Sequence, residues 1–202
     1  MKQIILSLIA FIGASLNACM AKDIETSETR NLSGYTSIHI DGVATVCFTQ
    51  SDTYSCRIEG KAKEVARLTT TVENGILTIE QRIDHKREQN IQGATLYLSA
   101  PALEEVKLDG VGAFECEGAL KAGDIRFKTD GVSKLKIKDL HCDNVEIKID
   151  GVGKANVDVY CDRLKARVDG VSSLKLSGKA RTATLRDSFL GKIDNRRLKV
   201  GE

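Results

Sequence analysis

The tripeptide Asp-Gly-Val occurs five times in this chain, starting at Asp41, Asp109, Asp130, Asp150 and Asp169, and a degenerate copy, Asp187-Ser188-Phe189, ends the series. From Asp109 onward the copies recur at nearly even spacing, each step slightly shorter than the one before. A period of roughly 20 residues is too short for a helical-hairpin repeat. It suits short strands joined by tight turns, each repeat stacked on the last. The spacing therefore predicts an all-β fold built as a β-solenoid-like array of repeats about 20 residues long.

Aligning the copies on their Asp gives the strand phase. One residue before it stand Leu108, Thr129, Ile149 and Val168; three before stand Val106, Phe127, Ile147 and Ala166. Five after it come Phe114, Leu135, Ala155 and Leu174, and seven after come Cys116, Ile137, Val157 and Leu176. Alternation with period two marks a half-buried strand on each side of the Gly, which sits where the chain bends. Val111, Val132, Val152 and Val171, two residues after their Asp, are expected to stack inside. Ser37 to Val43 repeats the same strand-turn unit. The rest of the first third reads as a β-meander continuous with the array. A polar turn at Gln50 to Ser55 leads to a strand near Cys56 to Ile58. Ala62 to Leu68 is a short helix or loop. A hairpin turns at Glu73-Asn74-Gly75. Asp84 to Asn90 is a charged loop, and Ala94 to Ser99 another strand.

The outward positions carry charge. Glu105, Arg126, Glu146 and Lys165, four residues before the Asp, alternate in sign. Stacked at strand spacing they form a complementary ladder. Asp109, Asp130, Asp150, Asp169 and Asp187 would form a ladder of like charges, repelling by about 1 kcal/mol per step in water. Lys107, Lys128, Lys148 and Arg167, two residues before each Asp, offset that repulsion. The simplest role for these Asp residues is structural, as turn residues whose carboxylates bond backbone amides.

The chain begins as an exported protein does. Met1-Lys2 is a minimal positive region, Ile4 to Ala14 is apolar but too short for an ordinary membrane span, and Leu16-Asn17-Ala18-Cys19 follows. This resembles a bacterial lipobox, which makes residues 1–18 a signal peptide and Cys19 the lipidated first residue of the mature protein. Asn17 departs from the small residue usual there. Cleavage after Ala21 as a plain secreted protein, or a retained anchor, are the alternatives. Residues 19–30 would be a tether and 31–202 the folded domain.

Export makes disulfides possible. Beyond Cys19 the cysteines are Cys47, Cys56, Cys116, Cys142 and Cys161. Cys142 and Cys161 each stand eight residues before an Asp and should stack on adjacent repeats. Cys47 and Cys56 flank a turn and form a second candidate pair, while Cys116 falls on an inward position. No Cys-x-x-Cys pair occurs and His39, His85 and His141 are scattered, so no metal site and no cofactor are expected. Lys+Arg (30) nearly balance Asp+Glu (28), which argues against nucleic acid as a partner.

The export signal, the early strand-Gly-strand unit, Asn74-Gly75-Ile76-Leu77-Thr78-Ile79, and Ala100-Pro101-Ala102-Leu103 ahead of repeated strand-Gly units together resemble the auto-transporter adhesin "head GIN" domain family. The resemblance runs from about Asn31 to Val200. It implies an all-β, right-handed single-stranded β-helix on the cell envelope, outer membrane included, and carries no catalytic residues. The function expected is non-enzymatic: a binding or scaffolding role at the envelope or surface, with the membrane reached through the lipid anchor. Two other classes compete with it. A polysaccharide-active β-helix enzyme would need a unique constellation that breaks the repeat, and here the Asp residues are the repeat. A divalent-cation-binding array would use the Asp ladder.

Overall fold

A computed structural model of the chain describes residues 24–81 and 93–201, so the export segment and the charged run at Asp84 to Asn90 lie outside the described residues. The elements are β1 (Glu25–Thr29), β2 (Ser37–Gln50), β3 (Ser55–Lys61), α1 (Ala62–Val65), β4 (Leu68–Glu73), β5 (Ile76–Gln81), β6 (Ala94–Ala100), β7 (Glu105–Ile149), β8 (Val152–Val168), β9 (Val171–Asp187) and β10 (Lys192–Val200). The fold is all-β, with one large sheet that is not closed. Its main path runs β1-β3-β6-β2-β7-β8-β9-β10.

From β2 onward, equivalent repeat positions lie side by side on parallel strands. Ile38 pairs with Val106, Asp41 with Asp109 and Val46 with Phe114. Val132 pairs with Val152 and then Val171, and Leu135 with Ala155 and then Leu174. β7 holds two Asp-Gly corners, at Gly110 and Gly131, and its later stretch lies on its earlier one. The Arg126 amide donates to the Glu104 carbonyl at 2.8 Å. Residues one, three, five and seven positions from the Asp point into a single core, in which Phe48, Phe114 and Phe127 contact one another in series.

The corner glycines have two reasons to be glycine. Gly131 and Gly151 have φ near +100°, a region that side chains enter at a cost. In addition, a Cβ on either would collide with the carbonyl oxygen of the glycine one repeat earlier. The side-chain alternation passes straight through this corner. The glycine takes an inward slot too tight for any side chain, so the residue after it must face out. Val111, Val132, Val152 and Val171 are accordingly 49, 52, 51 and 59 % exposed, not stacked inside. An even step from an outward Asp lands outward again, so an inward Val would have broken the alternation that the rest of the repeat obeys.

The first third is not a meander. β2 and β3 are neighbours in sequence, but β6 lies between them. β5 runs parallel to Ser37–Asp41 and β6 parallel to Ala44–Gln50, so together they make one further rung on the far side of β2. The chain thus lays down β2, leaves to build a cap, returns on the outer side as β5 and β6, and only then crosses to β7. The physical reason is that β2 lies inside the sheet, where its backbone amides and carbonyls need strand partners on both edges. On the outer rung, Gln81 abuts the corner at Gly42 and its Oε1 accepts from the Val43 amide at 3.2 Å. The cap is antiparallel: β3 on β6, β1 on β3, and the hairpin β4–β5, whose turn carries Asn74 and Gly75 at positive φ.

Candidate functional site

The repeat presents its regularity on the outside. At each Asp-Gly corner an Asp and, two residues on, a Val face solvent. Val43 is the Cα partner of Val111, and Val132 that of Val152, which in turn partners Val171. The offset between β8 and β9 carries past the last corner unchanged, with Val168 opposite Asp187 and Ser173 opposite Lys192. At this last corner Ser188 to Gly191 form a tight turn, with Gly191 against the Val168 carbonyl, and Phe189 and Leu190 stand exposed at its tip. The result is a stripe of exposed apolar side chains along one edge of the array, with acids beside it. Sequence reasoning missed this stripe, although counting parity from the Asp would have found it.

The same offset corrects the Asp ladder. Ser188, not Asp187, stands opposite Asp169; Asp187 falls opposite the inward Val168, one place out of line. The last motif step, from Asp169 to Asp187, is one position shorter than the stacking offset, and that is the cause. The remaining Asp residues differ in their partners. Lys107 reaches Asp109 and Arg167 reaches Asp169, both at 2.5 Å. These contacts raise the pKa of Lys107 and of Arg167. Lys128 instead bonds Glu105 at 3.1 Å and Lys148 reaches Glu146 at 3.5 Å. Asp130 and Asp150 are exposed and form no ion pair among the described residues. Direct ion pairs between the basic row and the Asp row thus form at Asp109 and Asp169, whereas Asp130 and Asp150 feel Lys107 and Arg167 only at longer range.

The alternating ladder is connected through Glu146, which lies 3.7 Å from Arg126 and 3.3 Å from Lys165. Burial works against the ionised form of Glu105 and of Glu146, but Lys128 with His39 in the first case, and Lys165 with Lys148 in the second, outweigh it. Both carboxyls are held below the usual carboxylate range.

The cysteines separate clearly. Cys142 and Cys161 are Cα partners on β7 and β8 and are hydrogen-bonded through their sulfurs. Cys47 and Cys56 are not brought together. Cys47 pairs with Tyr97 and Cys56 with Leu98, so β6 stands between them, two strand spacings or about 9–10 Å apart, beyond disulfide reach. Cys116 is fully buried. Cys19 lies outside the described residues. Among the described residues, no group of three or more His, Cys, Asp or Glu is arranged to hold a metal ion.

An all-β protein of parallel, register-matched repeats with a regular outer face is the class these features define. Residues 34–202 match the family described as "Putative auto-transporter adhesin, head GIN domain", and the chain belongs to that family. Solved structures share the fold. A Parabacteroides distasonis protein called a "putative adhesin" has a TM-score of 0.77 at 18 % identity, covering 87 % of this chain and 75 % of that one. A "Putative lipid binding protein" of the same organism has a TM-score of 0.77 at 17 % identity, with the same coverage. A Bacteroides fragilis "putative adhesin" has a TM-score of 0.55 at 19 % identity, covering 86 % of this chain and 97 % of that one. None of the curated proteins matches the chain.

Proposed function

We propose that this chain is an exported, non-enzymatic envelope protein that binds an elongated partner along its Asp-Gly-Val edge. The observation that carries the reading is the exposed row of Val111, Val132, Val152 and Val171, with Phe189 and Leu190 also exposed at the last corner. A row of neighbouring exposed apolar side chains is the kind of surface at which partners bind. In the Asp row beside it, Asp130 and Asp150 lack ion pairs among the described residues, which favours a partner that presents apolar groups flanked by cations. The adhesin and lipid-binding names of the family and of its structural neighbours agree with a binding role. The architecture belonging to this reading is a right-handed single-stranded β-solenoid, supported by the parallel register in which equivalent positions of successive repeats are Cα partners. Attachment is through a lipid on Cys19, as Leu16 to Cys19 suggest, which sets the protein at the outer membrane.

The experiment is adherence of the producing cell to a surface it colonises, comparing the wild type with a Val132→Asp/Val152→Asp double variant. Both positions are exposed, so the variant should fold and melt as the wild type does while adherence falls. Wild-type adherence from the variant would remove the stripe as the binding edge. Mass spectrometry of the mature N-terminus tests the anchor: a diacylated Cys19 is expected, and a free amino group at Lys22 would leave plain secretion.

A further inference from the structure

Among the five described cysteines, only Cys142 and Cys161 are Cα partners on neighbouring strands. Several independent features produce this match. β7 and β8 keep one offset as far as Ile137 opposite Val157, and from Leu140 opposite Val159 onward the offset is shorter by one position. Lys138 and Asp139 together face Asp158, a bulge of two residues against one. Without it, Cys142 would face Asp162. One residue earlier His141 pairs with Tyr160, and their rings stack with centroids 4.9 Å apart and planes 12° apart, which holds the two strands in this register. On the far side Cys161 meets Ala180, so the thiols are confined to a pair. Partners on neighbouring strands are about 4.8 Å apart, inside the Cα–Cα range a disulfide spans.

The geometry points to an inter-repeat disulfide between Cys142 and Cys161, formed by thiol–disulfide exchange with a disulfide donor. The thiolate of Cys161 attacks one sulfur of the donor and releases the first donor thiol. The thiolate of Cys142 then attacks the Cys161 sulfur of that mixed disulfide and releases the second. Two protein thiols are oxidised, one donor disulfide is reduced to two thiols, and both protein S–H protons end on the donor. The interaction between the two sulfurs lowers the pKa of the Cys161 thiol and raises that of the Cys142 thiol, which burial raises further. The exchange balances equally with the two cysteines in the opposite order. The bond would fix two adjacent repeats in register by closing a loop one repeat long. It acts independently of whatever the Val edge binds.

The test uses the purified, reduced full-length protein, incubated folded with oxidised glutathione and alkylated in denaturant, then mapped by peptide mass without reduction. A cross-linked peptide pair joining Cys142 and Cys161 is expected, with Cys47, Cys56 and Cys116 alkylated. The pair should be lost in Cys142→Ala and in Cys161→Ala, and the oxidised protein should melt higher than the reduced one by about 5 °C or more. Persistence of a glutathione adduct on Cys161, or alkylation of both residues, would overturn the proposal. So would an oxidised form that melts no higher, because native geometry would then have to distort to make the bond.

Discussion

The two ends of the stack are built differently. Beyond β2 the outer rung of β5 and β6 is itself covered by antiparallel β3 and β1, by β4 and by α1, so Ile58, Leu77, Leu96 and Leu98 are as buried as anything in the middle. At the other end β10 is a parallel copy whose one partner among the described strands is β9, and Leu185, Ile193 and Leu198 pack against the core while remaining partly exposed. β10 also carries Lys192, Arg196, Arg197 and Lys199, the kind of charged edge that discourages pairing with another strand. In a stacked array each repeat contacts only its neighbours, so stability is roughly a sum of interfaces. The difference teaches that one terminal rung has two interfaces and the other has one. Opening should begin at β10 and reach β6 last.

The largest expected effect comes from placing a charge at an inward position of each end. Leu96→Asp buries an unpaired carboxylate between β3 and β2 and should cost more than about 4 kcal/mol, enough to prevent folding. Leu198→Asp can turn to solvent at the open edge and should cost about 1 kcal/mol. Urea titration of both variants measures the gap. Equal losses would mean the array melts as one block with no weak end.

The second comparison sets a corner glycine inside the stack against one beyond it. Gly151→Ala combines a φ of +101° with a Cβ that collides with the Gly131 oxygen; Gly201→Ala, at φ +86°, meets nothing within 4 Å among the described residues. Backbone strain alone is worth about 1 kcal/mol or somewhat more, so Gly201→Ala should cost that much, and Gly151→Ala about 3 kcal/mol once the collision is added. Thermal melts decide it. A Gly151 variant no worse than the Gly201 variant would show that the corners do not stack as closely as described.

These contrasts also show what was legible in the sequence. The inward positions one, three, five and seven residues from the Asp could be read directly, because period-two alternation survives wherever the chain is regular. The pairing of Cys142 with Cys161 could be read because both are phased to the same motif. Two things were harder or impossible to read. The inward slot at each corner is filled by glycine, which shows no apolar letter, so apolar character alone assigns the following Val to the core and only parity counted from the Asp turns it outward. The rung made by β5 and β6 has no Asp-Gly-Val and arrives out of chain order, so repetition does not reveal it. The displaced Asp187 is a milder case: the motif step from Asp169 is one position short of the stacking offset, and hydrogen bonding across strands keeps the offset, not the motif.

A smaller effect concerns acid. Glu105 and Glu146 sit mid-array, and their folded pKa values lie below the ordinary 4.5. A depressed folded pKa contributes stability that is complete above the unfolded value and is lost as pH falls through the folded one. Melting temperature should therefore hold at neutral pH and begin to fall below about 4.5. Glu146→Gln should flatten that fall; at the open end Asp194, whose carboxyl Arg196 holds well below the usual carboxylate range, contributes to the same loss at lower pH. A Glu146→Gln profile parallel to wild type would place the acid sensitivity elsewhere.

The smallest expected effect belongs to the Asp row, where the inner members and the outer ones should part company. Asp130 is exposed and forms no ion pair among the described residues, and its neighbours along the row are themselves acids. Neutralising it removes a repulsion of about 1 kcal/mol or less per neighbour in water and only a longer-range attraction to Lys107, with no direct ion pair. Asp130→Asn should leave the melting temperature unchanged or slightly raised, and Asp150→Asn should behave alike. Asp169 differs because Arg167 holds it at 2.5 Å; Asp169→Asn should lower the melting temperature slightly, since so exposed a pair is well screened by water. Chelator should alter none of these values. If calcium instead raised the wild-type melting temperature by several degrees, and Asp130→Asn abolished that rise, the inner carboxylates would be cation ligands, because a ligand stabilises in proportion to the logarithm of its concentration over its dissociation constant. The like-charge row would then be a binding feature held together by metal.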